Sequence, residues 1–178
     1  MKKIILGFLV LVGSVVAVEL GKVPSSVILD GDNGGKTDGS AWNSKMLKGK
    51  VHILFYVDPD ERKLNEPLTQ ALKKRHFDRR KYASVAMINL AATWLPNAIL
   101  ESKLKAKQKE FPDTIYVKDK KKVFVKKWGL ADDNSDILIF DKKGELIYKK
   151  FGKLSEKEIA YPMKSAVVTL ESMKNISL

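Results

Sequence analysis

The chain has 178 residues, 44% of them hydrophobic and 30% charged, which suits one α/β domain with a sizeable core and leaves little room for a second. It contains no cysteine, and this excludes disulfides, thiolate nucleophiles, cysteine-ligated zinc and iron–sulfur clusters. The net charge of +12 comes from 33 basic against 21 acidic residues, and only Arg62, Arg75, Arg79 and Arg80 are arginine; solvated lysines account for the excess, since specific anion readers favour arginine's planar fork.

Met1-Lys2-Lys3 precedes an apolar run from Ile4 to about Val18, and Val15-Val16-Ala17 offers small residues for cleavage. The pattern predicts a signal peptide over residues 1–17, cut near Ala17, and a soluble periplasmic protein in which residues 18–178 form one domain. An uncleaved membrane anchor is the alternative, although the run is short for a span. No cysteine follows it, so a lipoprotein anchor is excluded. Export weighs against nucleic acid as a partner.

From Val27 to Gly49 turn residues abound, and the segment reads as a hairpin ending in a short helical stretch near Asn43 to Leu47. Val51 to Val57 is an almost unbroken apolar run, as expected of a strand covered on both faces. Helical spacing of Leu64, Leu68, Ala71 and Leu72 predicts a helix from Glu61 to about His76. Tyr82 to Leu90 is a second core strand, and Asn97 to Phe111 a helix with Leu100, Leu104 and Phe111 on one stripe. Thr114 to Val117 and Val123 to Trp128 read as short strands around a lysine-rich turn. Asp136 to Asp141 and Glu145 to Lys150 flank a Lys142-Lys143-Gly144 turn, a hairpin signature. Ser155 and Glu158 form a capping box ahead of a last helix, which Pro162 either kinks or delays.

The order hairpin, β, α, β, α, short strands, β-hairpin, α resembles the thioredoxin pattern: an α/β, thioredoxin-like fold with an added N-terminal β-hairpin. In thioredoxins the paired cysteines open the helix after the first core strand, five residues ahead of a proline. Counting back from Pro67 places Pro59-Asp60-Glu61-Arg62 in that slot, and counting back from Asp141 places Ser135 where a cis-proline would stand. Thiol exchange, peroxide reduction and disulfide isomerisation are therefore excluded on chemical grounds. The plain structural role for Asp58, Asp60 and Glu61 is capping of the helix start.

Three segments carry a closer resemblance. They are Trp42-Asn43-Ser44 with Leu47 and Gly49-Lys50, Leu100-Glu101-Ser102 with Phe111-Pro112, and the run from Trp128 through Leu130, Asp133, Ser135, Asp141 and Gly144 to Gly152 and Leu154. In that order and spacing they resemble the YtfJ family of exported, thioredoxin-like bacterial proteins. The resemblance implies a periplasmic location and a cysteine-free thioredoxin-like domain, and it names no substrate.

Three functions compete. The first is a non-catalytic binding or adaptor protein without cofactor, holding a periplasmic protein or peptide over Asp58, Pro59, Asp60, Glu61, Arg62, Asp133, Asn134 and Ser135. The second is a carboxylate- or metal-dependent enzyme using Asp60, Glu61 and Asp133. The third is electrostatic contact of the 103–109 and 118–122 lysines with anionic envelope material, against their default role as solvated faces. Asp132-x-Asn134-x-Asp136 opens like a calcium loop, but Ile137 and Lys143 stand where that loop needs glycine and glutamate. A looser metal site on Asp132, Asp133 and Asp136 is the weaker reading, and no metal is expected. Gly34-Gly35-Lys36-Thr37 lacks the first glycine of a phosphate loop and reads as a turn. Trp42, Trp94 and Trp128 are assigned to core or rim packing.

Overall fold

A computed structural model describes residues 17–172, so the expected signal peptide lies outside the described residues except for its last position. Strands β1 (Ile28–Leu29), β2 (Gly34–Lys36), β3 (Trp42–Asn43) and β4 (Val51–Val57) come first, followed by helix α1 (Glu66–Lys74). Then come β5 (Tyr82–Asn89), α2 (Asn97–Glu110), β6 (Thr114–Asp119), α3 (Val123–Trp128), β7 (Ser135–Phe140), β8 (Leu146–Phe151) and α4 (Ala160–Ser172). A six-stranded sheet runs in the order β2-β6-β5-β4-β7-β8, with β4, β5 and β6 parallel and the other pairings antiparallel.

Alternation along the strands sends side chains to two cores. One face carries Leu54, Tyr56, Val85, Met87, Val117, Leu138 and Phe140, covered by Phe124 and Trp128 of α3 and by Leu29 and Trp42 of the N-terminal segment. The other carries Val51, Ile53, Ile137 and Ile139 against Leu68 and Leu72 of α1 and Ala166 and Leu170 of α4. Leu100 and Leu104 of α2 pack near Ile88 and Tyr116, over β5 and β6.

Four expectations need correction. The N-terminal hairpin is only half of one: β1 and β3 pair with each other, but the turn residues between them form β2 and join β6 at the sheet edge. The Gly34-Gly35-Lys36 segment is therefore a strand rather than a turn. The helix expected from Glu61 starts at Glu66, preceded by a 3-10 turn over Pro59–Glu61. Pro67 explains the delay, since its ring and missing N–H are tolerated only in a helix's first turn. Val123 to Trp128 is a helix, not a strand. The Asp119 carboxylate accepts the N–H groups of Val123 and Phe124 at 2.9 and 3.0 Å, capping the first turn from outside, while Phe124 and Trp128 sit one turn apart on the core. The Ser155–Glu158 box forms, and α4 begins at Ala160 with Pro162 in its first turn, the delayed start that was one of the two expectations for this proline.

Gly34 is where the edge strand depends on glycine. Its φ is 131°, and a Cβ there would lie 1.8 Å from the Lys118 carbonyl oxygen. Gly34→Ala is expected to push β2 off β6 and lower Tm by about 5 °C, measured by thermal circular dichroism. An unchanged Tm would show that the pairing tolerates a side chain.

Candidate functional site

On one face of the three parallel strands the pairs Leu54 and Tyr56, Val85 and Met87, and Ile115 and Val117 are apolar, and at the C-terminal end the same face turns polar. Two residues beyond Tyr56, Met87 and Val117 stand Asp58, Asn89 and Asp119, and Asp136 precedes Leu138 at the adjacent start of β7. All four are buried: Asp58 is 2% exposed and the others 0%. The register sets Asn89 beside Asp119 and Asp136 beside Tyr56. The carboxyl ends of parallel strands are the usual place for a site in an open α/β sheet.

Asp119 is fully engaged. Besides the α3 amides its carboxylate receives the Lys121 N–H and the Tyr56 hydroxyl, so its role is to seat α3. Burial and the Asp119 charge drive the Tyr56 phenol well above its ordinary range.

Asp58 and the 132–135 loop are tied reciprocally. The Asn134 N–H donates to Asp58 Oδ2 at 2.6 Å, and the Asp58 N–H donates to the Asn134 carbonyl at 2.9 Å. Asp58 occupies the N-cap position of the 59–61 turn, but its carboxylate bonds across to the other loop rather than to its own turn. The expected capping role for Asp58 is thereby replaced by loop cross-linking. Asp132 accepts from Asn89 Nδ2 at 3.0 Å and from Lys122 Nζ at 2.6 Å. Asp133 holds a left-handed backbone (φ 53°) and is exposed. Asp58, Asp132 and Asp133 each place a carboxylate oxygen within 4.8 Å of the others.

The electrostatics follow from this crowding. Burial raises the Asp58 carboxyl to about 6, the Asn134 N–H and Asn89 amide pull it back, and the charges of Asp132 and Asp133 push it up again. Burial raises Asp136 to about 7, against the hydrogen bond from the Ala131 N–H, with the Asp58 charge adding to the rise. Burial would raise Asp132 too, but the Lys122 hydrogen bond and charge hold it below its ordinary value.

Of the predicted site residues, Asp58, Pro59 and Ser135 are buried, Glu61 and Asn134 half-buried, and Asp60, Arg62 and Asp133 exposed. Arg62 Nη1 donates to the Pro59 carbonyl at 3.2 Å and so holds its own turn. The trio Asp60, Glu61 and Asp133 is not brought together as a carboxylate cluster; only Asp133 joins one. The looser metal trio is also revised, with Asp58 in the place of Asp136.

Sequence reasoning missed Asn65, Asn89, Asp119 and Lys122. Asn89 and Asp119 were findable, as polar residues ending apolar strands on the core parity. Asn65 left no local signal. Its Nδ2 lies 3.1 Å from the Ser135 carbonyl, 3.2 Å from Ser135 Oγ and 3.1 Å from the Gly152 carbonyl, and its Oδ1 accepts the Leu154 N–H at 2.9 Å. The lysines of 118–122 also differ from a solvated face. Lys118 is buried, Lys118 and Lys120 both pair with Glu101, and Lys122 pairs with Asp132.

A family model described as a bacterial protein of unknown function (YtfJ_HI0045) matches residues 22–168. An uncharacterised protein of Haemophilus influenzae is 28% identical over 121 residues, covering 66% of each chain. The uncharacterised protein YtfJ of Escherichia coli is 25% identical over 126 residues, covering 68% of each. The match thus spans about two thirds of the length of these relatives. The solved structures that match are of thioredoxin-like proteins. A Chlorobium tepidum structure titled as a putative thiol:disulfide interchange protein DsbE superposes with a TM-score of 0.61 at 12% identity, covering 86% of this chain and 99% of that one. At that identity the likeness speaks for fold alone. The family match over most of the chain, on a fold of this kind without a single cysteine, means that the protein belongs to the YtfJ family of bacterial proteins, built on a thioredoxin-like α/β fold.

Proposed function

We propose that the protein is an exported, non-redox binding or adaptor protein that holds a periplasmic protein or peptide over the loops at the C-terminal end of the parallel strands. The observation that carries this reading is Trp94. It is 87% exposed, on the loop that follows β5, at the same end of the sheet as the cysteine-free 59–62 turn and the 132–135 loop. Trp42 and Trp128 are buried as expected, so Trp94 alone departs from core packing. A bare indole beside polar loops has the make-up of an interface anchor with its rim.

Hollows of about 130 and 170 Å³ lie along the N-terminal segment near Val23 and Pro24, and are small for a substrate. Among the described residues no helix is long and apolar enough to cross a membrane. Export is read from the basic start and apolar run at the N-terminus. The electrostatic alternative is weakened by the pairing of Lys118, Lys120 and Lys122 with acids.

Photo-crosslinking in the periplasm tests the reading, with probes at Asp60 and Trp94 and a control at Lys143, in the turn at the opposite end of the sheet. One discrete adduct from the first two sites, absent at Lys143 and lost in Trp94→Ala when probed from Asp60, is the expected result. Equal labelling at all three sites, or none at any, sinks the proposal.

A further inference from the structure

Among the described residues four buried polar side-chain atoms have no hydrogen-bond partner. One is the Trp42 Nε1 donor in β3, and the three at the carboxyl end of the parallel strands are of one chemical kind. They are Asp58 Oδ1, Asn89 Oδ1 and Asp136 Oδ1, all acceptors, on three neighbouring strands or their ends. Buried acceptors are nearly always paired, so three together call for a donor or a cation. The Asn89 amide spends its Nδ2 on Asp132, and its oxygen is left without a partner. Asp58, 2% exposed, already spends Oδ2 on the Asn134 N–H.

Two exposed carboxylates, Asp132 and Asp133, lie close to the Asp58 carboxylate. One carboxylate oxygen from each of Asp58, Asp132 and Asp133 lies within 4.8 Å of the other two, the spread of oxygens that share a centre at about 2.4 Å. Lys122 brings one positive charge to three carboxylates, and reaches only Asp132 Oδ2. A basic protein thus keeps a local anionic pocket in which the acids outnumber the lysine.

We propose that Asp58, Asp132 and Asp133 form a binding site for a hard divalent cation, Ca²⁺ in preference to Mg²⁺. Every donor is oxygen, which disfavours soft metals. Two of the three carboxylates come from the loop after α3, and Asp133 there adopts a left-handed backbone. Such a shell adapts to the longer, irregular coordination of Ca²⁺ more readily than to the strict octahedron of Mg²⁺. The cation would pin the 132–135 loop to the end of β4, where now the Asp58–Asn134 bonds hold it. Cation binding by this chain needs no partner protein, so the assignment does not rest on the adaptor reading.

Calorimetric titration of CaCl₂ into chelator-treated, desalted protein at neutral pH tests it, together with Tm in Ca²⁺ and in Mg²⁺. One-site binding is expected, with Tm rising by about 5 °C once Ca²⁺ reaches about a hundredfold excess over Kd, and a smaller rise in Mg²⁺. Asp133→Asn should weaken Ca²⁺ binding by roughly tenfold or more. Because that side chain is exposed, Tm without Ca²⁺ should stay unchanged; Asp58→Asn, which also touches the Asn134 bond, serves only as a second variant. No heat and no Tm shift up to about 10 mM Ca²⁺, about tenfold beyond the weak end of extracellular calcium sites, overturns the assignment. Equal responses of wild type and Asp133→Asn overturn it as well, and an equal or larger effect of Mg²⁺ overturns the stated preference.

Discussion

Asn65→Ala is expected to lower Tm by about 10 °C, a larger loss than any other single polar substitution at this end of the sheet. One buried amide joins four groups on two segments far along the chain: the Ser135 carbonyl and hydroxyl at the start of β7, and the Gly152 carbonyl and Leu154 N–H in the connection from β8 to α4. Truncation strands the Leu154 N–H and deprives the carbonyls of a donor. Each unsatisfied buried group costs about 1–3 kcal/mol, so a loss of about 3–5 kcal/mol follows, and for a chain of this size each kcal/mol moves Tm by about 2–4 °C. Asn65→Asp keeps the acceptor for Leu154 and loses the donor, and should fall between the two. Thermal unfolding by circular dichroism reads the series. A drop of under about 3 °C for alanine would show that water or a rearranged loop replaces the amide without difficulty.

The second large effect is a dependence of stability on pH set by Asp58 and Asp136. Both carboxyls titrate higher in the folded protein than in the unfolded chain, at about 6 and about 7 against an ordinary 3.8. The folded state therefore holds more protons through this range, and stability falls as pH rises. The favourable contribution is whole below the unfolded value and is lost as pH climbs through about 6 and then about 7. Glu158 and Asp78 act in the opposite sense, being held at about 2 by hydrogen bonds from Lys150 and Arg80. Their contribution changes only below about pH 5. His52 is held below its ordinary 6.5 by burial and opposes the aspartates within the same window.

The test is accordingly a difference between Asp136→Asn and wild type, from about pH 5.5 to 8, with chelator present. Asparagine retains an acceptor for the Ala131 N–H, and His52 cancels in the comparison. The variant should gain on wild type by about 2 kcal/mol across the window in denaturant unfolding, nearly all of it below about pH 7.5. A constant offset would mean that Asp136 is ionised in the folded protein throughout, and that burial does not govern its proton.

The contrast between Asn89 and Asn65 shows where reading the chain stops. Asn89 ends an apolar strand on the core-facing parity, so its position at the polar rim was implicit in the alternation of Tyr82 to Asn89. Asn65 is one polar residue in a polar stretch, and its worth comes from partners 70, 87 and 89 positions away. No periodicity of a short segment encodes that. The misread Val123 to Trp128 segment has the same origin. A short run of β-branched and aromatic residues such as Val123-Phe124-Val125 fits a strand or a turn of helix equally well, and the amides accepted by Asp119 choose the helix.

By itself, then, the sequence determined the strand at Val51–Val57, the helix at Asn97–Glu110, the closing β-hairpin, the absence of thiol chemistry and the resemblance to the YtfJ family. Each of these rests on local pattern or on residue inventory, which require no knowledge of contacts. The tertiary structure alone decided that the glycine-rich turn becomes an edge strand, and that Asp58 cross-links two loops instead of capping a helix. It also gathered Asp58, Asp132 and Asp133 with Asn89, while leaving Asp60 and Glu61 outside that group. The physical reason is common to all three. Burial and charge proximity are properties of pairs brought together by sheet register, and register is settled by the whole core.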